Sequence, residues 1–238
     1  MAEAIEVAGI PIEVVRKEIR NVHLGVYPPS GRVRIAAPLR VDVETLRVFA
    51  VTRLGWIREQ RRKLREQERE PRRDYVDRES HYLWGTRYLL RVVEHDERPH
   101  VEVSGRRMTL VVRPGWGHER RETVVARWYR AQTRELAMSL LPRWESTLGV
   151  QARRLFVQRM RTKWGSCNPA SGSIRLNSEL AKKPKECLEY VLVHELAHLI
   201  EPRHGRRFLA LLDDVLPGWE SHRQRLNRLP IASSDAAR

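Results

Sequence analysis

In the segment VLVHELAHLI, residues 191–200, His194, Glu195 and His198 form an HExxH pattern inside an otherwise apolar helical stretch. Histidines four apart lie on one helix face with Cβ atoms about 5–6 Å apart, from which both rings reach one zinc ion at about 2.0–2.1 Å. Carboxylates and imidazoles are costly to bury without partners, so three such groups among Val191, Leu192, Val193, Leu196, Ala197, Leu199 and Ile200 call for a compensating metal. Glu195, at the edge of the same face, is then placed as a general base. The bare pattern is only moderately specific, because satisfied core histidines beside a surface glutamate would also produce it.

The residues that follow sharpen it. Pro202 disfavours helix at Glu201, and the chain then presents His204, followed by Gly205, which can relax a tight turn. Three protein ligands leave the fourth position to water, the arrangement of catalytic zinc. Glu201 is a rival third ligand, at i+7 from His194 if the helix survives the proline; imidazole suits zinc well and the proline argues against an extended helix, which favours His204. Cys187, two helical turns and about 10 Å before His194, reads as a packed thiol.

These residues need a scaffold. Apolar alternation or short apolar runs at 4–8, 11–16, 20–27 and 32–37 predict strands, with Pro28, Pro29 and Gly31 turning between the last two. From Asp42, an N-cap, the residues Leu46, Phe49, Ala50, Leu54, Trp56, Ile57 and Leu64 recur at three and four and predict one helix over about 42–70, ending at Pro71. Strand patterning returns at 81–93, 99–104 and 107–113 and is expected to extend the first sheet. A helix over 119–147, strands at 154–159 and 173–177 around the turn-rich RTKWGSCNPASG, a motif helix over 184–200, and helices near 206–214 and 219–227 follow. No internal repeat or low-complexity block is visible. The reading is an α+β protein: a β-rich N-terminal region at 1–116 with one long helix, a catalytic region at 117–228 and a flexible tail at 229–238.

At 238 residues, with 41% hydrophobic residues and seven Trp, the chain can bury a sizeable core. No apolar run approaches the length of a membrane span, no secretory signal opens the chain, and two distant cysteines make no disulfide framework. A cytoplasmic enzyme without a membrane partner is the expectation. The net charge is +15, and residues 151–185 carry nine basic side chains against Glu179 alone. A positive field there favours an anionic partner or substrate, with solvated arginine as the alternative.

RMRTKWGSC (159–167), SIRLNSEL (173–180), EYVLVHELAHL (189–199), His204 and Phe208, together with GRVRIAAP and the Trp56-Ile57 pair, closely resemble the YgjP-like (DUF45) zincin family of metal-dependent hydrolases, relatives of the WLM and SprT metallopeptidases. The resemblance implies a zincin-like minigluzin unit with the HExxH on a helix, zinc on His194, His198 and His204, and Glu195 as catalytic base. Glu201 stands where metzincins have glycine, and no Met-turn follows, which sets the chain apart from that group. For a peptide substrate, strand 173–177 is the candidate edge for an extended chain, with Trp164, Ser166 or an amide of 162–168 stabilising the oxyanion. Some members of the family are assigned to nucleoside triphosphate hydrolysis, with UTP as substrate. For a nucleotide, Arg159, Arg161 and Lys163 become phosphate clamps, although no glycine-rich phosphate cradle is present. A DNA-associated protease in the manner of SprT is the third reading.

Overall fold

The computed structural model describes residues 3–27, 30–66, 73–160 and 163–228, with the side chain of Lys63 left aside. The chain divides into two compact units between Pro71 and Arg72. The expected helix end at Pro71 and the frayed tail at 229–238 lie outside the described residues.

In the first unit, β1 (Glu3–Val7) and β2 (Ile10–Lys17) form a hairpin around Ala8 and Gly9, followed by β3 (His23–Tyr27) and β4 (Arg32–Pro38). Ala8 (φ 49°) and Gly9 (φ 75°) are both left-handed, as a two-residue hairpin turn with the right twist requires. The strand order is β1-β2-β4-β3, with β2 and β4 parallel and the outer pairs antiparallel. Alternation buries Ile12, Val14, Val33, Ile35 and Ala37 on one face, covered by Leu46, Ala50 and Ile57. These come from α1 (Val43–Thr52) and α2 (Leu54–Glu66), so the single expected helix is broken at Arg53, where φ and ψ are −105° and 6°. Asp42 caps α1 as expected, accepting from Thr45 N at 2.8 Å and from its hydroxyl at 2.7 Å.

The second unit begins with β5 (Ser80–Leu83), β6 (Thr86–Glu94), β7 (His100–Ser104) and β8 (Arg107–Val112). These strands do not extend the first sheet; they form their own, in the order β5-β6-β8-β7. Its inner residues Leu90, Val101, Met108, Leu110 and Val112 are closed by Val124, Val125 and Tyr129 of α3 (His118–Leu148), so they need no apolar partner from the first sheet. The other end of α3 turns Ala137, Leu141 and Trp144 into a second core. It ends at Gly149 in the left-handed region (φ 65°), where glycine closes a helix without a Cβ penalty. Between the two cores Thr133, fully buried, bonds from Oγ1 to Ser178 O at 3.1 Å.

A third sheet contains β9 (Arg154–Gln158), β10 (Gly165–Asn168) and β11 (Ser173–Asn177), in the order β10-β11-β9. β10 falls inside the segment expected to be turn, and β11 is the middle strand; its hydrogen bonds go to β9 and β10, so it cannot be the edge that receives a substrate. A 3-10 helix (Ser178–Lys182), α4 (Lys185–Ala197), α5 (Arg206–Val215) and α6 (Trp219–Arg228) complete the unit. Each expected C-terminal helix is present within a few residues of its expected bounds.

The three sheets share one plan. In each, a strand pairs in parallel with the second arm of a later antiparallel hairpin: β2 with β4, β6 with β8, β9 with β11. The first two add a leading strand through the same kind of turn, Trp84 (φ 50°) and Gly85 (φ 79°) repeating Ala8 and Gly9. The chain therefore contains a repeat of topology where none was visible in the residues. Among the described residues no helix is long and apolar enough to cross a membrane.

Candidate metal centre

Apolar on most sides, α4 is buried over most of its length: Cys187, Leu188, Leu192, Val193, Leu196 and Ala197 are fully buried in one cluster with Ile174 and Leu176 of β11 and Phe208 of α5. His194 and Glu195 occupy its last turn, and the helix ends at Ala197, with His198 as the C-cap. Leu199, Ile200 and Glu201 continue in a tight turn bonded back to Leu196 and Ala197. Pro202 follows, and the chain returns past His204 to start α5 at Arg206. Gly205 stands at φ −91° with open space around it, so it supplies no left-handed turn and the expected reason for glycine there does not hold.

This return brings the three imidazoles together. One ring nitrogen of each of His194, His198 and His204 lies within 4.8 Å of the others. Nε2 of His204 is 3.0 Å from Nε2 of His194, near the roughly 3.3 Å that two imidazoles adopt on one tetrahedral ion. His198 Nδ1 donates to the carbonyl of Glu201 at 3.1 Å, which fixes the tautomer and leaves Nε2 with its lone pair. The role of Glu201 is thus through its backbone; among the described residues its carboxylate joins no group of potential ligands. Phe208, fully buried, floors all three rings at centroid distances of 4.9, 4.6 and 4.9 Å. Tyr190, stacked on Trp219, walls His194 at 5.7 Å.

The electrostatics suit a cation bound by neutral imidazole. Burial, and then the neighbouring His198, His204 and Arg223, push the His194 imidazolium down to about 4. His198 is also lowered, by burial, against the opposing bond to Glu201. Nδ1 of His194 is buried without a partner. Glu195, 6% exposed, has its carboxyl pushed up to about 7 by burial, with Lys163 acting in the opposite direction. The two cysteines are poor thiolates, Cys167 and Cys187 each raised to about 11, first by burial. Cys187 is the packed core thiol expected of it.

Two further residues build the site. A Cβ at Gly165 would lie 2.5 Å from Oε1 of Glu195 and 2.8 Å from Cγ1 of Val191, so only glycine lets β10 approach α4 this closely. Asn177 ties the loop that leads into β10: Nδ2 donates to the carbonyls of Met160 and Lys163, both at 2.9 Å, while its backbone N–H bonds to Trp164 O at 2.8 Å. Both lie inside recognisable segments, WGSC and SIRLN, yet nothing in the residue types alone separates them from a turn glycine and a strand-end polar residue.

The expected substrate-binding residues have different surroundings. Arg159 faces two carboxylates, Glu122 at 3.2 Å and Glu179 at 3.9 Å. Arg161 lies outside the described residues. Lys163 is exposed, and its charge reaches Glu195. Trp164 packs against the α4 core with Lys183 Nζ 5.9 Å from its ring centroid. Ser166 alternates with Gly165 and Cys167, so its side chain points to the face of β10 away from Glu195.

A family model described as YgjP-like, metallopeptidase domain, matches residues 21–229. No curated protein matches the chain. Among solved structures, the metallopeptidase zymogen of Pyrococcus abyssi abylysin is similar at 23% identity, covering 40% of this chain and 99% of that one with a TM-score of 0.36. The metallopeptidase zymogen of Methanocaldococcus jannaschii jannalysin is similar at 21% identity, covering 38% and 84%, with a TM-score of 0.34.

Proposed function

The chain belongs to the YgjP-like metallopeptidase family, and from that membership we propose that it is a zinc-dependent peptidase whose metal is held by His194, His198 and His204. Zinc bound there would supply a Lewis acid and lower the pKa of a coordinated water toward 7. The donor set fits it: three imidazoles, one tautomer already fixed, converge beside a buried carboxyl group.

Glu195 is the residue that moves the proton. Its carboxyl group sits next in chain to His194, sealed by Gly165 and Val191, and without metal its burial raises the pKa to about 7. It accepts the proton of the attacking water and returns it to the leaving amine. Lys163, the cation that acts on it, favours its ionised form before each turnover.

An extended polypeptide would pair with β10. Among the described residues β10 has a partner only in β11, so its other edge offers backbone donors and acceptors. The same strand touches the Glu195 carboxylate through Gly165, which sets a paired peptide bond beside the base. This juxtaposition of a free strand edge, a buried glutamate and three imidazoles carries the proposal. A nucleoside triphosphate is less well served, because Arg159 is engaged by Glu122 and Glu179.

The test is a parallel assay of the zinc-loaded protein on an unfolded polypeptide and on nucleoside triphosphates. Cleavage of the polypeptide, abolished in both zinc-free protein and Glu195→Gln, is the expected result. Triphosphate hydrolysis with the same two dependences, and no proteolysis, would replace the peptide by a nucleotide.

A further inference from the structure

The shared plan of the sheets provides an internal control for charge. In each sheet an arginine on the middle strand faces outward, opposite a residue of the parallel neighbour: Arg34 opposite Glu13, Arg107 opposite Leu89, Arg175 opposite Phe156. In the first sheet Glu13 neutralises its arginines, pairing with Arg34 at 2.8 Å and with Arg32 at 3.7 Å. In the third, Arg175 lies over the Phe156 ring at 5.5 Å. In the second sheet the acid is replaced by Leu89, and Arg107 is joined by Arg91, Arg106 and Arg78 around one groove of about 760 Å³. Among the described residues none of these four guanidinium groups has a carboxylate or carbonyl partner. The one acid in the groove, Asp77, accepts from Val92 N at 2.6 Å.

Four arginines without carboxylate partners line one concavity and give it a positive field, which favours a polyanion. The backbone is shaped for it. Arg78 stands in the left-handed region (φ 64°), an uncommon conformation for a side chain of its kind, and its N–H bonds to Leu90 O at 2.8 Å. The hydroxyl-bearing Ser104 and Thr109 also line the groove.

We propose that this outer face of the second sheet binds the phosphodiester backbone of single-stranded nucleic acid. The apolar side chains decide between nucleic acid and an acidic polypeptide. Leu89 is 45% exposed and Tyr82, opposite Arg87 in register and on the same face, is 36% exposed. A ring and a branched apolar side chain beside a row of arginines provide a platform on which unpaired bases stack while phosphates meet planar guanidinium forks. A carboxylate chain offers nothing to stack. The site lies on the face of the sheet opposite α3 and uses none of the residues around the three histidines.

The experiment uses the full chain and a fluorescein-labelled oligothymidylate of about twenty nucleotides, followed by anisotropy over a salt series. Arg91→Gln/Arg107→Gln and Arg78→Gln/Arg106→Gln are each expected to weaken binding at least about tenfold, and to reduce the slope of log Kd against log salt by about 1.4, near 0.7 for each phosphate left without its arginine. Tyr82→Leu should weaken binding about fivefold or more with the slope unchanged. Arg98→Gln/Arg130→Gln removes the same charge from exposed positions outside the groove and should stay within about twofold of wild type. Melting temperatures of all variants, compared with wild type, confirm that the fold is intact. Equal weakening in the control and groove pairs, or unchanged binding in the groove pairs, overturns the site. Binding of poly-glutamate as tight as that of the oligonucleotide, abolished in the same variants, overturns the nucleic-acid assignment in favour of an acidic polypeptide.

Discussion

The second and third sheets hold the same three-strand arrangement and put it to different uses. In the second, the hairpin edge strand β7 carries Val101 and Val103 into an apolar core shared with α3. In the third, the corresponding edge strand β10 carries Gly165 and Cys167 towards α4, and the missing side chain at 165 makes room for a carboxylate. The helices differ to match: α3 alternates buried and exposed residues along its length, whereas α4 is buried nearly throughout and holds its polar groups in the last turn. Chemistry enters through a few residues placed on a shared plan, while the plan itself stays the same.

The contrast between the two sheets breaks most severely at the ligands. His204→Ala is expected to lose the metal, read as metal per chain, and to lower hydrolysis to background; unchanged metal content would move the third ligand to Glu201. The next effect lies at the edge strands. Gly165→Ala pushes Glu195 and Val191 away and should cost about 100-fold in kcat, the scale of a roughly 1 Å misplacement. Gly25→Ala on β3, where the nearest atoms to a Cβ belong to the Tyr27 side chain, should leave kcat unchanged. A similar rate for both variants would deny β10 its special role. Asn177→Ala leaves the carbonyls of Met160 and Lys163 short of a donor and is expected to destabilise the protein by about 1–3 kcal/mol in chemical denaturation.

The smallest net effect is on stability against pH in metal-free protein, because Glu195 and His194 act in opposite directions. Glu195, with its carboxyl pushed up to about 7 from 4.5, makes the folded state bind more protons than the unfolded one in that window. Its contribution therefore falls as pH rises from 4.5 to 7, by roughly 3 kcal/mol at 1.36 kcal/mol per pH unit. His194, lowered to about 4 from 6.5, acts in the opposite direction, adding stability as pH rises from 4 to 6.5. Metal-free Glu195→Gln should melt above wild type at pH 8 and level with it at pH 4. A variant no more stable than wild type at pH 8 would show that the carboxylate has partners that compensate its burial.

The clustering of the three histidines was legible in the residues because their spacing is rigid. HExxH fixes two rings on one helix face, and the tight turn after Ala197, followed by Pro202, lets the chain return with His204. Of the helices after residue 118, α5 and α6 were legible through strong apolar periodicity, whereas α4, apolar on most sides, was legible through its long apolar run. Short-range signals failed where tertiary contact decides. Gly165–Asn168 has the composition of a turn and is a strand only because β11 pairs with it. The separate second sheet was hidden because alternation shows that a strand has two faces and not which sheet it joins. The topological repeat was invisible because its three copies share little beyond alternation, and only the first two share a two-residue turn, Ala8-Gly9 and Trp84-Gly85. The break at Arg53 leaves the apolar spacing of α1 and α2 nearly continuous, so periodicity reads across it.

Glu195 working beside a metal held by three histidines is the central claim, and one pair of proteins tests it directly. Zinc content and cleavage of an unfolded polypeptide are measured on wild type and Glu195→Gln in parallel. The expected result is one zinc per chain in both, with cleavage about 10²–10⁴-fold slower in the variant, the usual contribution of a positioned general base. Wild-type cleavage by zinc-loaded Glu195→Gln would contradict that role.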